Sequence, residues 1–185
     1  MTADWSGQDR FIYTRELVPE RAADGVLITG VFGSGKSSVA AEITYLLEQR
    51  NQRYALLDLD YLGWVGDHTM GYQMMLRNLA AVAPNYLDAG IRTFVVAYFI
   101  RDAAALRSVR QALGVPLRVV RLSVSMLDIE RRLASDVTSG RRDDLSDAAA
   151  SVASGEGVGV EDLVIDNDRA VGIVAGEVMS WLGWL

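Results

Sequence analysis

Lys36 is the single lysine of this chain, and the other 17 of its 18 basic residues are arginine. It stands in Gly30-Val31-Phe32-Gly33-Ser34-Gly35-Lys36-Ser37, which meets the phosphate-binding loop pattern G-x-x-x-x-G-K-[ST] at every fixed position. A compact ammonium on a flexible stem can follow two phosphates, which a broad, rigid guanidinium cannot do in a tight loop. The surroundings agree. Val26-Leu27-Ile28 reads as a buried strand leading in, and Ser37 to Ile43 reads as a helix leading out. Gly30, Gly33 and Gly35 let backbone N–H groups converge on phosphate oxygens, with the Ser34 N–H among them, and the helix adds its positive end. Lys36 would bridge the β- and γ-phosphates and the Ser37 hydroxyl would ligate Mg²⁺. Ser38, beside it, is a helix-start residue counted with the loop.

Further along, short β-branched runs alternate with helical stretches. Strands are expected at Val26–Ile28, Tyr54–Leu57, Thr93–Phe99, Leu117–Leu122 and Leu163–Ile165. The runs do not alternate with polar residues, as expected for a parallel sheet covered on both faces. Helical stripes fall at Val39, Ile43 and Leu47, at Leu106, Val109 and Leu113, and at Val171, Val174, Val178 and Leu182. The fold class expected is α/β, a doubly wound and mainly parallel five-stranded sheet with helices on both faces and a small lid. The 185 residues suit one domain. Within it, residues 1–24 form an N-terminal extension in which Trp5, Phe11, Ile12 and Tyr13 pack, 61–90 an acceptor-binding region and 136–150 the lid. Trp64 to Asn85 does not read as core, although Met74, Met75 and Leu79 within it do. His68 reads as a helix-start or surface residue.

Composition narrows the function classes. A net charge of −6 argues against a general nucleic-acid binder, which needs a basic face. With no cysteine and one histidine, disulfides, thiol catalysis and a cysteine or histidine metal cluster are excluded. No apolar run reaches the ~18 residues that span a membrane. The polar, acid-bearing N-terminus is unlike a secretory signal, so the cytoplasm is expected.

Asp58-Leu59-Asp60 ends the second strand. Two carboxylates near a phosphate loop suit phosphoryl transfer, one holding Mg²⁺ through water and the other orienting or deprotonating an attacking hydroxyl. Which aspartate does which is open from sequence. Trp64, Tyr72 and Asn78 are acceptor-pocket candidates, since aromatic rings and an amide suit a small polar molecule. Arg101 ends the third strand and can reach an anionic acceptor or the phosphate, while Asp102 caps the next helix.

The phosphate loop, about twenty further residues, and an apolar strand ending in D-x-D resemble the small P-loop kinases, among them adenylyl-sulfate, gluconate and shikimate kinases and chloramphenicol phosphotransferase. The resemblance runs from Val26 to Leu185 and includes Leu163-Val164-Ile165-Asp166-Asn167-Asp168 followed by an amphipathic helix. Leu59 stands where adenylyl-sulfate and gluconate kinases usually have glycine, which argues against both those substrates. The resemblance implies a nucleotide-kinase-like fold, ATP and Mg²⁺, and a small-molecule hydroxyl acceptor, with Asp60 touching it. It also implies a lid whose arginines close over the transferring phosphate. Arg131 and Arg132 lie late in the helix after the fourth strand, with Arg132 assigned to the nucleotide, and Arg141 and Arg142 in the flap to catalysis. Asn167 and Asp168 would lie near the adenine. The competing readings are a nucleotide-dependent regulator with slow hydrolysis and a nucleoside or nucleotide kinase.

Overall fold

The computed structural model describes residues 22–66, 69–134 and 141–185, with the side chains of 141 and 142 outside the description. The elements in chain order are β1 (Asp24–Thr29), α1 (Lys36–Glu48), β2 (Ala55–Asp58), α2 (Leu59–Leu62), α3 (Gly71–Asp88), β3 (Thr93–Ala97), α4 (Ala103–Leu113), β4 (Leu117–Ser123), α5 (Met126–Ala134), α6 (Arg141–Ser154), β5 (Leu163–Asp166) and α7 (Val171–Leu182). The strands form one five-stranded sheet in the order β2-β3-β1-β4-β5. Every neighbouring pair is parallel. This is the doubly wound α/β architecture that the strand–helix alternation predicts.

The continuous apolar runs split their side chains between two cores, because successive strand residues face opposite ways. Val26 and Ile28 of β1, Val95 and Ala97 of β3, and Val120 and Leu122 of β4 face Val39, Ile43 and Leu47 of α1 and the buried stripe of α7. Leu27, Phe94, Val96 and Val119 face the other way, onto α3 and α4. A third, small cluster joins Ile129 and Leu133 of α5 to Leu145 and Ala148 of α6, and it packs against Val31 and Phe32.

β1 is the middle strand. The chain leaves it through α1 to the edge strand β2, returns to β3 at β1's flank, and then crosses to β4 on the other side. The direction of winding reverses around the carboxyl end of β1, and that is where a doubly wound sheet opens its ligand crevice. The Gly30–Gly35 loop lies at that end.

Two expectations are corrected. β3 ends at Ala97, not Phe99. The Tyr98 N–H still donates to Ile28 O at 3.1 Å, but the Ile100 N–H then turns to the side-chain oxygen of Thr29 at 2.9 Å, so the chain bends over the end of β1 instead of continuing the ladder. Residues 64–85 are not wholly outside the core, because most of them belong to α3, whose Met75, Leu79 and Ala83 recur every four residues and are buried. Met74 is half-buried. Residues 1–21, with Trp5, Phe11, Ile12 and Tyr13, and His68 lie outside the described residues. Among the described residues no helix is long and apolar enough to cross a membrane.

Leu79 is fully buried, whereas Leu127 on α5 is 56% exposed. Leu79→Ala is expected to lower stability by about 2–5 kcal/mol. Leu127→Ala should change it by no more than about 0.5 kcal/mol. Urea unfolding of the two variants checks the contrast.

Candidate phosphate site and acceptor cleft

The loop between β1 and α1 is shaped by its glycines. Gly30, Gly33 and Gly35 take φ values of 144°, 75° and 92°, where a side chain is strained. A Cβ on Gly30 would lie 2.7 Å from Ser34 Oγ, and one on Gly35 would lie 2.6 Å from Asn167 Nδ2. α1 starts at Lys36 with no side chain capping it, so its first N–H groups remain available to an anion. Ser34 Oγ is buried and has no hydrogen-bond partner among the described residues. An orphaned hydroxyl is costly unless something polar arrives to meet it. Uncapped N–H groups, an unfilled hydroxyl and a cradle that no Cβ may enter fit a bound polyphosphate.

Lys36 is only 8% exposed. Its Nζ donates to Val31 O at 3.2 Å and lies 5.4 Å from the centre of the Phe32 ring. Burial pushes its pKa below the usual lysine value. The charges of Asp60, Asp58 and Asp144, in decreasing order, pull it back up. Ser38, in the same turn, is exposed.

The two aspartates at the end of β2 have different surroundings. Asp58 caps α2 and accepts from the Asp60 N–H at 3.3 Å. Its other oxygen accepts from the Ser37 hydroxyl at 2.6 Å, across 21 residues of sequence. Leu59 between them turns inward and is buried. Asp60 reaches solvent at the rim, yet the protein around it removes enough water to raise its pKa. Lys36 opposes that rise, while Asp58 and Asp144 add to it.

On the far side of the loop, Arg132 and Asn167 form a brace. Arg132, from α5, donates to Ser34 O at 3.2 Å and Gly33 O at 3.5 Å, and also to Asn167 O. Asn167 is buried, and its amide donates to Ser34 O at 2.7 Å. Both residues therefore hold the outside of the loop through its carbonyls. Asp168 is exposed, with its carboxylate 3.9 Å from Arg169.

The acceptor candidates are less uniform. Trp64 is 77% exposed and stacks on Tyr61 with ring centres 5.7 Å apart. Tyr72 is exposed in the first turn of α3. The Asn78 amide donates to Leu62 O at 2.7 Å, so it ties α3 to the end of α2. Arg101 is exposed, while Asp102 caps α4 by accepting from the N–H groups of Ala104 and Ala105. Arg141 and Arg142 open α6, and their side chains lie outside the description. Two turns of that helix pack Leu145 and Ala148 toward Val31 and Phe32, which carries Asp144 into the field of Lys36.

Two features escaped the sequence reading. Tyr98 is half-buried just past β3, and its pKa is pushed up to about 12, first by burial, then by Asp60 and Tyr72, with Arg101 opposing. Asp60, Tyr72, Tyr98 and Arg101 thus share one neighbourhood. The signal was an aromatic residue at the very end of a buried strand. The second feature is a pocket of about 180 Å³ beside Gly30 and Val31, walled by Phe99, Arg121, Ser123, Ser151 and Glu156 among others. Its far wall is a loop in which Gly155, Gly157 and Gly159 all take positive φ. The Gly157 N–H donates to Arg101 O at 2.7 Å, seating that loop on the segment between β3 and α4. The alternating glycines of Gly155-Glu156-Gly157-Val158-Gly159 were the available signal.

A carboxylate whose pKa rises on folding costs stability once it ionises. The cost is absent below the unfolded pKa and is complete above the folded one. Asp60→Asn is therefore expected to unfold at a higher temperature than the parent at neutral pH, with the advantage shrinking as pH falls toward 4. Thermal unfolding across that range tests this, and a parent more stable at neutral pH would contradict it.

No family model matches the sequence, and no curated protein matches it. Solved structures do resemble it. A sugar kinase from Janibacter sp. aligns over 87% of this chain and 95% of its own, with a TM-score of 0.64 at 17% identity. The APS kinase CysC of Mycobacterium tuberculosis, in complex with AMPPNP and APS, aligns over 88% and 98%, with a TM-score of 0.60 at 24% identity. Shikimate kinase from Acinetobacter baumannii, in complex with shikimate, aligns over 88% and 94%, with a TM-score of 0.54 at 15% identity. This chain has the fold shared by P-loop kinases of small molecules.

Proposed function

We propose that this chain is an ATP-dependent phosphotransferase that moves the γ-phosphoryl group of ATP to a hydroxyl of a small molecule with the help of Mg²⁺. The observation that carries this reading is the 2.6 Å contact between the Ser37 hydroxyl and the Asp58 carboxylate, beside Lys36. These are the two oxygen groups through which such a site holds a divalent cation, one directly and one through water. Among the described residues no group of three or more histidine, cysteine, aspartate or glutamate residues gathers to hold a metal, so the cation would rely on Ser37, Asp58 and the phosphates themselves. When bound, Mg²⁺ supplies charge neutralisation at the phosphates.

The roles of the residues follow from their surroundings. The N–H groups of Gly33 and of Gly35 to Ser37 donate to phosphate oxygens together with the Ser34 hydroxyl, while the Ser34 N–H stays with Val31 O at 3.1 Å. Lys36 gives up its contact with Val31 O and places its ammonium on the β- and γ-phosphates. Arg132 and Asn167 hold the loop's carbonyls outward, which keeps its N–H groups turned to the ligand, and with Asp168 they border the adenine side. Asp58 is engaged with Ser37, which leaves Asp60 to take the proton of the acceptor hydroxyl. That oxygen then bonds to the γ-phosphorus while the bond to the β,γ-bridging oxygen breaks, and its electron pair leaves with ADP. Arg141 and Arg142, at the start of α6, would stabilise charge on the equatorial oxygens and exclude water as the lid. Trp64, Tyr72, Tyr98 and Arg101 border the acceptor, and Asn78 supports the segment that carries them. We further infer one domain over residues 1–185 with its lid in 136–150, a small-molecule partner and not a nucleic acid, and the cytoplasm as the setting, where ATP is plentiful.

The test is ADP release from ATP and Mg²⁺, alone and across a panel of hydroxylated metabolites, nucleosides and antibiotics. One compound should stimulate release strongly, and Lys36→Ala should cut that stimulated rate by roughly 10²–10³. Asp60→Asn should cut it by roughly 10²–10⁴ while ATP affinity changes little. Because ionised Asp60 takes the proton and its pKa is raised, kcat/KM should fall as pH drops through a value higher than that of an ordinary aspartate. Tight ATP binding that no compound converts into turnover would overturn the kinase reading.

A further inference from the structure

Tyr61 and Trp64 are 71% and 77% exposed, and their rings stack with centres 5.7 Å apart and planes 20° from parallel. Each ring covers at most one face of the other, so the outer faces stay open. Trp181, elsewhere in the fold, has the Arg118 guanidinium 5.4 Å from the centre of its ring. Among the described residues no cation lies over Tyr61 or Trp64. A solitary exposed aromatic residue is ordinary, but a grouped pair marks a surface kept for contact.

The stack is tied to the carboxylate assigned as base. Tyr61 follows Asp60 in α2, and Gly63 closes that helix. The Gly63 backbone lies against Gly71, where α3 starts. A Cβ on Gly63 would lie 2.7 Å from Gly71 O, and one on Gly71 would lie 3.1 Å from Gly63 O. That close approach, backed by the Asn78 amide on Leu62 O, draws together the residues that follow the two glycines, Trp64 and Tyr72. Tyr98 arrives from β3. Phe94 and Val96 point onto α3 and α4, and Tyr98, two residues on, packs against the same core. Its phenol lies in the field of both Asp60 and Tyr72. The neighbours therefore close a circle, from Asp60 through Tyr61, Trp64, Tyr72 and Tyr98 back to Asp60.

A flat π-system matches the open faces of this circle. Planar rings stack on aromatic side chains over their whole face, and nucleic-acid bases do so with little regard to sequence because every base has such a face. A sugar can lay only its few C–H groups on the same surface.

We propose that the Tyr61–Trp64 stack is a platform for a planar ring in the phosphoryl acceptor, which is then a hydroxyl-bearing compound with an aromatic or heteroaromatic ring and not a bare sugar or polyol. The proposal rests on the kinase reading in placing the reacting hydroxyl at Asp60. The preference for a ring can be measured by binding alone.

The probes are two matched pairs, uridine with ribose and phenyl β-glucoside with methyl β-glucoside. Their binding to the full chain loaded with a non-hydrolysable ATP analogue and Mg²⁺ is measured by calorimetry, and ADP release is measured in parallel with ATP. In at least one pair the ring-bearing member is expected to bind about tenfold or more tightly than its partner, and the pair that shows this tells a heterocyclic base from an aryl group. Trp64→Ala should weaken the ring-bearing member by about 5- to 100-fold, the size of one lost stacking contact, and leave its ringless partner unchanged. Trp64→Phe should keep most of the preference, and both variants should unfold at the parent's temperature, since Trp64 is exposed. A ring preference without ADP release would support the platform and count against the kinase reading. Equal binding within both pairs, or no binding of any probe at millimolar concentration, would overturn the proposal. So would a ring preference that survives Trp64→Ala, or a Trp64→Ala variant whose only change is lost self-association in size-exclusion chromatography, which would assign the stack to contact between copies of this chain.

Discussion

Lys36 carries its charge with only 8% of its surface exposed, and a charge removed from water must be compensated. The compensation comes from every side of the site. Asp58 and Asp60 arrive from the end of β2, Asp144 from α6, the Val31 carbonyl from within the loop, and the Phe32 ring from beneath. Each supplier also answers to a constraint of its own. Asp58 caps α2 and holds Ser37, while Phe32 packs with α5 and α6. A phosphate entering the loop would replace this compensation with a stronger one and release the carboxylates for other work. Among the residues that compensate this charge, Asp58 and Asp60 are those to which the proposed phosphoryl transfer assigns a role.

Two packing arrangements keep the cradle in shape. The sheet fixes the end of β1 between β3 and β4, with α1 held against α7 on one face and α3 and α4 on the other. From outside, the Arg132 guanidinium and the Asn167 amide bind the carbonyls of the loop. The cradle is open because those carbonyls are taken and its glycines leave no Cβ in the way. The Ser34 hydroxyl, buried without a partner among the described residues, and the raised pKa of Asp60 each cost the fold stability. Local costs of this kind are what the phosphate-site proposal would account for.

Much of the fold was legible because the strands are continuously apolar and the helices carry clear stripes. The end of β3 was not, because Tyr98 and Phe99 are as apolar as the strand before them. What ends the strand is the side chain of Thr29, which captures the Ile100 N–H from 71 residues away. Residues 64–85 look polar and aromatic when read in a line, yet α3 turns Met75, Leu79 and Ala83 onto one buried face. In the site, the shape of the Gly30–Gly35 loop was legible because its glycines set the backbone locally. Tyr98 was not, since its role as a neighbour of Asp60 and Tyr72 depends on strands that meet only in the folded sheet.

The sequence by itself determined the glycine-shaped turn from Gly30 to Gly35, the place of the D-x-D pair and the alternation of strands and helices, because each is a short-range pattern that dictates its own backbone. Only the tertiary structure decided how differently the two aspartates are surrounded. It brought Ser37 to Asp58 across 21 residues and left Asp60 at the rim. It also turned Arg132 and Asn167 onto the loop's carbonyls, tied Asn78 to Leu62, and closed a pocket between Val31 and the glycine loop after α6. The physical reason is common to all of these. Pairing and desolvation depend on which groups are brought together in space, and in a parallel sheet every such meeting is between segments far apart in the chain.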